Sequence, residues 1–279
     1  MRQAGPPDRR GRLHVTHDRT WTDNYARSTH LDVRLDAWKR FGIVQGPFGV
    51  DVIPNEPPQP RRILDAGCGT GENLRKLRAA YPDTALFGLD LSEAMVNAAT
   101  AWCPDAECRV GNVEVLPWPD GHFGGLVCTH VLYHVENITA ALSEFGRVLS
   151  SEGWAVISTV GRATGYEARE CFNRACVAAG VPQLTKSHSP GDAFNVENGE
   201  PPIRGVFPRV ELHSRTAELR FERTDDALAY IMSMDYAQQA VATAPSVAAH
   251  LRDELERHIE HHGSFVIRKD SGTWLCRKG

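Results

Sequence analysis

Short apolar segments alternate with segments of helical periodicity through the middle of the chain. The apolar segments that predict strands are, in chain order, residues 62–66, 85–89, 107–110, 123–129 and 153–159. Between them, apolar residues recur at three- and four-residue spacing, which predicts helices at 72–80, from residue 92 onward, and at 140–149. Alternation of strands and helices at this spacing predicts a parallel sheet that helices cover on both faces.

The two ends of the chain follow a different pattern. Residues 21–41 have apolar positions that suit one or two helices, and five prolines within residues 46–60 indicate a linker. After residue 160 the pattern predicts a helix, a Gly- and Pro-rich segment, a strand and two further helices, at 163–179, 180–202, 210–221, from 224, and 246–262. Lys269-Asp270-Ser271-Gly272 lies between two short apolar segments, which predicts a hairpin.

These patterns divide the chain into five predicted regions. Residues 1–13 contain four arginines and two adjacent prolines but no apolar segment, so a secretory signal is not expected there. The regions are a disordered tail at 1–18, a helical cap and linker at 19–60, an α/β core at 61–160, a lid insertion of helices and a strand at 161–262, and a C-terminal hairpin at 263–279 that completes the core sheet.

Composition and charge narrow the function classes. Lys and Arg number 31 and Asp and Glu 35, and the resulting net charge of −4 offers no broad surface for nucleic acid. The chain lacks an apolar run of about 18 residues, so no membrane span is expected. The seven cysteines form no CxxC pair, which favours reduced thiols in the cytoplasm over disulfides or a zinc site. His258, His261 and His262 are interpreted as residues of a helix end rather than as metal ligands.

A glycine-rich loop, Gly67-Cys68-Gly69-Thr70-Gly71, joins the first strand of the core to its first helix. Glycines at such a turn let a ligand approach the backbone closely. The spacing is GxGxG rather than the GxGxxG of dinucleotide sites, and Glu72 at the helix opening would repel a pyrophosphate. Asp90 ends the next strand, about 20 residues beyond the glycines, where an acid can accept from ribose hydroxyls. The loop therefore predicts a nucleoside ligand without a phosphate.

Four segments, in the right order, resemble motifs of the class I methyltransferases, and specifically the type 11 domain of the branch that acts on small molecules. Asp65–Gly71 is similar to the first S-adenosylmethionine (SAM) motif of that family, and 89–95 to its second-strand acid and following helix. Residues 110–123 resemble the adenine-side loop, and 145–153 the segment that introduces the fifth strand. The resemblance covers about residues 60–160.

The resemblance implies a fold, a cofactor and a set of contacts. The fold would be α/β and Rossmann-like, with a mostly parallel seven-stranded sheet between helices, an antiparallel C-terminal hairpin and a lid insertion; the cofactor would be SAM. The implied contacts run from the methionine end through the ribose to the adenine: Asp65, Ala66, Gly67, Gly69 and Gly71, then Asp90, then Leu91, Asn112 and Val113. Asn112 stands where the family often has Asp, and its amide oxygen can still accept from the adenine amine. Tyr25 would close over the cofactor from the N-terminal cap, or is a core aromatic.

The segment from Thr129 to His134 follows the fourth predicted strand, at the carboxyl edge of the sheet where ligands bind in such folds. His130 is predicted to lie near the cofactor, chiefly through its backbone, and Tyr133 and His134 near the methyl acceptor. A neutral imidazole is a suitable base for a hydroxyl nucleophile near pH 7, so His134 is the candidate general base. The alternative is that His134 only packs at the start of the next helix.

These features favour a SAM-dependent methyltransferase that acts on an oxygen or nitrogen of a small molecule, as a monomer or homodimer. An RNA methyltransferase is the alternative enzyme. Residues 201–262 contain seven Arg, no Lys and ten acids, which disfavours RNA, whereas the tail arginines at 2, 9, 10 and 12 favour it. A SAM-binding regulator without activity is a second alternative. A dehydrogenase ranks lower because Glu72 replaces the third glycine of the dinucleotide motif.

Overall fold

The computed structural model describes residues 28–53, 59–184 and 190–279. The predicted tail at 1–18 and Tyr25 lie outside these residues. The chain forms two compact units, each assembled from three segments. Of the described residues, the larger unit comprises those within Gly46–Arg162, Pro190–Arg215 and Asp270–Gly279, and the smaller comprises those within Met1–Gln45, Ala163–Ser189 and Thr216–Lys269. The region predicted as a lid, 161–262, is thus divided between the two units.

Eight strands and nine α-helices are present in the part of the chain that the structure describes. The strands are β1 Gly42–Gln45, β2 Arg62–Ala66, β3 Ala85–Asp90, β4 Glu107–Val110, β5 Phe123–Thr129, β6 Leu149–Val160, β7 Arg209–Phe221 and β8 Phe265–Arg277. The helices are α1 Ser28–Phe41, α2 Glu72–Ala80, α3 Glu93–Trp102, α4 Ile138–Val148, α5 Tyr166–Ala178, α6 Glu200–Arg204, α7 Thr224–Met232, α8 Asp235–Thr243 and α9 Ser246–His262.

The strands form one mixed sheet in the order β1-β7-β8-β6-β5-β2-β3-β4. Strands β2 to β6 pair in parallel, while β8 runs antiparallel to β6 and β1 antiparallel to β7. The predicted Rossmann-like, mostly parallel sheet is confirmed, with eight strands rather than seven. In the parallel register Asp65 lies opposite Gly88 on one side and Val127 on the other, so the ends of three strands meet at one edge.

Alternation of side chains along the central strands builds a hydrophobic core on each face of the sheet. Leu64 and Leu126 point to one face and pack in the cluster that contains Phe145 of α4. Ile63 and Val127, the residues next to them, point to the opposite face and pack in the cluster that contains Leu74 of α2. All six side chains are fully buried, and the continuous apolar runs of β2 and β5 predict this for the four strand residues.

The hairpin predicted around Lys269–Gly272 is wrong, because β8 is a single strand that runs through this segment. Gly272 pairs with Thr159 and Ser271 with Val160 in the antiparallel ladder with β6. These backbone groups therefore make ladder hydrogen bonds instead of forming a turn. The prediction of an antiparallel strand at the C-terminus is confirmed.

The smaller unit has its own core, formed by apolar side chains of α1, α5, α7, α8 and α9 with the adjoining ends of β7 and β8. Phe172, Phe221 and Leu251 are fully buried there. Helix α9 ends at Gly263, whose φ of 78° is left-handed, and the His262 ring lies 3.0 Å from the carbonyl oxygen of His258. Across the described residues, every helix is too short or too polar to span a bilayer.

Candidate active site

The glycine-rich loop is fixed at the carboxyl ends of β2 and β3. Its first residue, Gly67, has a φ of 83°, and its N–H donates to the carbonyl oxygen of Leu89 at 2.7 Å. A Cβ atom at Gly67 would lie 2.2 Å from Cγ2 of Val131, so only glycine fits between the loop and the turn that follows β5. The Gly69 N–H donates to Oδ2 of Asp90 at 2.9 Å. The loop is thus tied to the neighbouring strand at two points.

Asp65 is completely buried at the end of β2, immediately before this loop. Its Oδ1 accepts a hydrogen bond from Asn73 Nδ2 at 3.5 Å, and Asn73 also donates to Thr129 Oγ1 at 2.7 Å. Among the described residues, its buried Oδ2 has no hydrogen-bond partner. Burial raises the pKa of Asp65 from 3.8 to about 7. A buried carboxylate oxygen without a donor fits a cationic ligand group, such as an ammonium.

Asp90 has a different environment at the end of β3. Both of its oxygens accept from backbone N–H groups: Oδ2 from Gly69 and Oδ1 from Ser92, each at 2.9 Å. These bonds fix the orientation of the carboxylate, and each oxygen keeps acceptor capacity for a hydroxyl. The next residue, Leu91, is 61% exposed, which is unusual for a leucine beside a buried strand end. An apolar surface therefore lies next to the ribose-type acceptor.

The predicted adenine-side residues contribute through different atoms. Oδ1 of Asn112 accepts from the Glu114 N–H at 2.9 Å, so its second lone pair is what remains for a ligand amine. Val113 and Ala66 have buried side chains within the hydrophobic core. They can reach a ligand only through their backbone groups.

Glu144 and Arg147 on α4 bind the segment after Asn112, although no motif in the sequence marks them. Oε2 of Glu144 accepts from the Leu116 N–H at 2.7 Å, and Arg147 donates to the carbonyl oxygens of Leu116 at 3.0 Å and Trp118 at 2.8 Å. The Arg147–Glu144 hydrogen bond lowers the pKa of Glu144 and raises that of Arg147. Their i, i+3 spacing on a helix was the available signal.

Aromatic rings line the chain after β5, where the three candidate catalytic residues come together. His130 has a φ of 59°, and its ring stacks on Phe48 with centroids 5.0 Å apart. The Tyr133 ring lies 6.1 Å from that of His130 and 4.3 Å from that of His134. The guanidinium of Arg215 lies 5.1 Å from the centre of the Phe48 ring. Phe48 and Arg215 carry no motif, and only the fold brings them here.

The histidine predicted as a base, His134, is half-buried, and its Nδ1 atom is buried. Burial lowers the pKa of His134 from 6.5 to about 4. Its imidazole is therefore neutral at physiological pH, but it is a weak proton acceptor because its conjugate acid is strong.

Comparison with known proteins agrees with this geometry. Residues 64–157 match a family described as a methyltransferase domain. The malonyl-[acyl-carrier protein] O-methyltransferase of Halorhodospira halophila is 32% identical over 136 residues, which are 48% of this chain and 46% of that protein. The corresponding protein of Laribacter hongkongensis is 33% identical over 148 residues, 48% of this chain and 49% of that one. The chain thus matches about half the length of these relatives.

A solved structure supports the fold. A putative methyltransferase from Bacillus halodurans superposes with a TM-score of 0.51 at 14% identity, covering 90% of this chain and 99% of that one. The strand order and this similarity show the fold of a class I methyltransferase, and the sequence matches identify residues 64–157 as a SAM-dependent methyltransferase domain. Its cofactor is SAM.

Proposed function

We propose that the protein is a SAM-dependent O-methyltransferase that esterifies a carboxylate of a small acyl molecule. The observation that carries this proposal is the guanidinium of Arg215, which lies 5.1 Å from the centre of the Phe48 ring that stacks on His130. The pKa of His134, which burial lowers to about 4, agrees with an acceptor that needs no base. A carboxylate is ionised at neutral pH and needs no base, whereas a hydroxyl acceptor does.

The cofactor contacts are proposed from the loop outward. The ammonium of SAM would pair with the buried Asp65 Oδ2, and the backbone of Gly67, Gly69 and Gly71 would surround the methionine end. Asp90 would accept from the ribose hydroxyls. Leu91 would cover the adenine, whose edge would meet Asn112 and the backbone of Val113. Ala66 would take part through its backbone alone. The predicted contact of Tyr25 stays a prediction.

The bound sulfonium supplies an electrophilic methyl group, so the protein has to place and desolvate the acceptor rather than activate it. A carboxylate oxygen would form the new bond to the methyl carbon as the carbon–sulfur bond breaks, which gives a methyl ester and a thioether. No proton is transferred in this step. His130, Tyr133 and His134 would then shape the acceptor site, and a general-base role for His134 stays a prediction.

Arg215 supports an anionic acceptor. Its side chain is half-buried over Phe48, the ring that stacks on His130. Burial lowers the pKa of Arg215, and the nearby Asp51 opposes this effect, so the group stays cationic. A desolvated guanidinium can bind a carboxylate through two parallel hydrogen bonds. We propose that Arg215 receives the acceptor's carboxylate or a neighbouring anionic group.

The relatives give independent support for the acceptor class. They are O-methyltransferases of malonyl-[acyl-carrier protein], and so they act on an oxygen of an acyl group. Because the matched region covers only half of each relative, the proposal does not extend to a carrier protein as the partner of this chain. Free acids and thioesters of the same acyl groups are compared in the acceptor panel.

An acceptor panel with methyl-labelled SAM tests the proposal. The panel should contain malonyl and succinyl thioesters of a small thiol, the same acyl groups on a carrier protein, free dicarboxylates, phenols, primary amines and tRNA. We expect label in a carboxylate-bearing acceptor and not in phenols, amines or tRNA. Label only in phenols, amines or tRNA would overturn the proposed acceptor class. An Asp90→Ala variant serves as the control for transfer that depends on the cofactor site.

A further inference from the structure

Two cysteine sulfurs lie side by side at Gly88, in the middle of β3. A Cβ atom added at Gly88 would lie 3.0 Å from the Sγ of Cys68 and 3.0 Å from the Sγ of Cys108. The two sulfurs are therefore separated by no more than twice that distance, and the two thiols are hydrogen-bonded to each other. Any other residue at position 88 would place a Cβ atom against both sulfurs, so the glycine is what lets the thiols meet.

The backbone anchors both cysteines beside the same strand. Cys108 in β4 is the register partner of Gly88, and the Cys68 N–H donates to the carbonyl oxygen of Leu89 at 3.0 Å. A disulfide needs Cβ atoms about 3.8 Å apart, so only cysteines held next to one another can form it. Here two adjacent parallel strands and one loop hold both Sγ atoms against the same glycine, and the S–S bond of about 2.05 Å forms when the loop carries Cys68 toward Cys108.

Cys108 differs from the other cysteines of the chain in reactivity. The hydrogen bond from Cys68 lowers the pKa of Cys108 to about 7, whereas the same hydrogen bond and burial raise the pKa of Cys68, and burial raises the pKa of the five cysteines outside this pair. Cys108 is also half-buried rather than fully buried, so a small oxidant can reach it. The thiolate is the form of cysteine that reacts with peroxides.

We propose that Cys68 and Cys108 form a redox modification site, at which a peroxide produces a reversible disulfide that weakens SAM binding. The Cys108 thiolate attacks one peroxide oxygen and becomes a sulfenic acid, with release of hydroxide that is protonated to water. The sulfur of Cys68 then displaces a second water from this sulfenic acid. Overall, two thiols and one hydrogen peroxide give one disulfide and two waters: the sulfurs lose two electrons and the peroxide gains them.

The link to SAM follows from the place of Cys68 within the glycine-rich loop. Its neighbours Gly67 and Gly69 both have positive φ, and the Gly69 N–H holds Oδ2 of Asp90 at 2.9 Å. Pulling the Cys68 sulfur toward Cys108 rotates the peptide groups on either side of it. The loop then loses the backbone geometry that surrounds the methionine end of the cofactor.

The test treats the reduced full-length protein with hydrogen peroxide and measures both the cross-link and SAM affinity. We expect an intact mass lower by about 2 Da, for the two hydrogens lost, and a Cys68–Cys108 cross-linked peptide in a non-reducing digest. Calorimetric titration should show SAM affinity at least tenfold weaker, and dithiothreitol should restore it. Because neither readout requires methyl transfer, failure here is distinguishable from failure of the proposed acceptor.

Two serine variants complete the test. Cys108→Ser removes one partner at a half-buried position and should keep its SAM affinity after peroxide treatment. Cys103→Ser changes a cysteine of the same core cluster that is not part of the pair, and should respond like the wild type. Three results would overturn the proposal: no Cys68–Cys108 cross-link, a cross-link that leaves SAM affinity unchanged, or equal loss of affinity in Cys108→Ser.

Discussion

Replacing Asp65 by asparagine should make the protein more stable at neutral pH and weaken its binding to SAM. The carboxylate is completely buried, and its Oδ2 is without a hydrogen-bond partner among the described residues. Burial raises its pKa from 3.8 to about 7. Asparagine has nearly the same shape and can still accept from Asn73, but it carries no charge to desolvate.

The sign and size of the effect follow from the two pKa values. Below pH 3.8 Asp65 is protonated in both the folded and the unfolded chain, so its titration does not reduce the unfolding free energy. Between that pH and about 7 the unfolded chain has lost a proton that the folded chain keeps, so stability falls as pH rises. At about 1.4 kcal/mol for each pKa unit, the total decrease in unfolding free energy is roughly 4 kcal/mol. Of this decrease, roughly 3 kcal/mol occurs between about pH 5 and pH 8.

Urea unfolding of the SAM-free protein at several pH values between 5 and 8 measures this. Relative to Asp65→Asn, the wild type should lose roughly 3 kcal/mol of unfolding free energy across the range, because other carboxylates titrate alike in both proteins. Calorimetry at pH 8 should show SAM binding about 30-fold weaker in the variant, which corresponds to about 2 kcal/mol for a lost charged hydrogen bond. If the unfolding free energies of wild type and variant change with pH in parallel, the raised pKa of Asp65 is refuted. If SAM affinity is unchanged in the variant, the pairing of Asp65 with the ammonium is refuted.

Three further changes test other parts of the site. Arg215→Gln should raise KM for a carboxylate acceptor at least tenfold while KM for SAM stays within twofold, and Arg215→Lys should recover part of the loss. An equal rise in both KM values would show that Arg215 acts on the fold instead. Gly67→Ala should lower the unfolding free energy by about 2 kcal/mol or more, because its Cβ meets Val131 and its φ is strained. Gly69→Ala has open space around its Cβ and should lower the unfolding free energy less. Equal decreases in the two variants would contradict the close contact at Gly67. His134→Asn should keep kcat with a carboxylate acceptor within a few-fold of the wild type between about pH 6 and 9. A decrease in kcat of about a hundredfold or more would support His134 as a general base instead.

The sequence predicts the sheet and the cofactor loop well because both depend on local signals. Continuous apolar runs identify β2 and β5 as buried parallel strands, and the glycines between Ala66 and Glu72 mark the turn between strand and helix. Asp90 is found because its spacing from the glycines reflects one strand–helix–strand unit. Each of these signals lies within about 30 residues of chain.

The features that the sequence did not predict depend on contacts between distant segments. Phe48 reaches His130, and Arg215 reaches Phe48, only because the sheet brings these segments together. The contact between Cys68 and Cys108 depends on strand register and on a glycine in a third segment. The hairpin was wrong for the same reason: turn-forming residues at 269–272 were overridden by pairing of Ser271 and Gly272 with β6.

The chemical stability of the transferred methyl group tests the central claim most directly. The protein is incubated with methyl-labelled SAM and the acceptor that the panel identifies, and the purified product is then treated with alkali. A methyl ester hydrolyses, so the account predicts that the label leaves as volatile methanol, in one-to-one ratio with the S-adenosylhomocysteine formed. Label that stays on the acceptor through alkali would place the methyl group on a phenolic oxygen or on nitrogen, and would contradict the account.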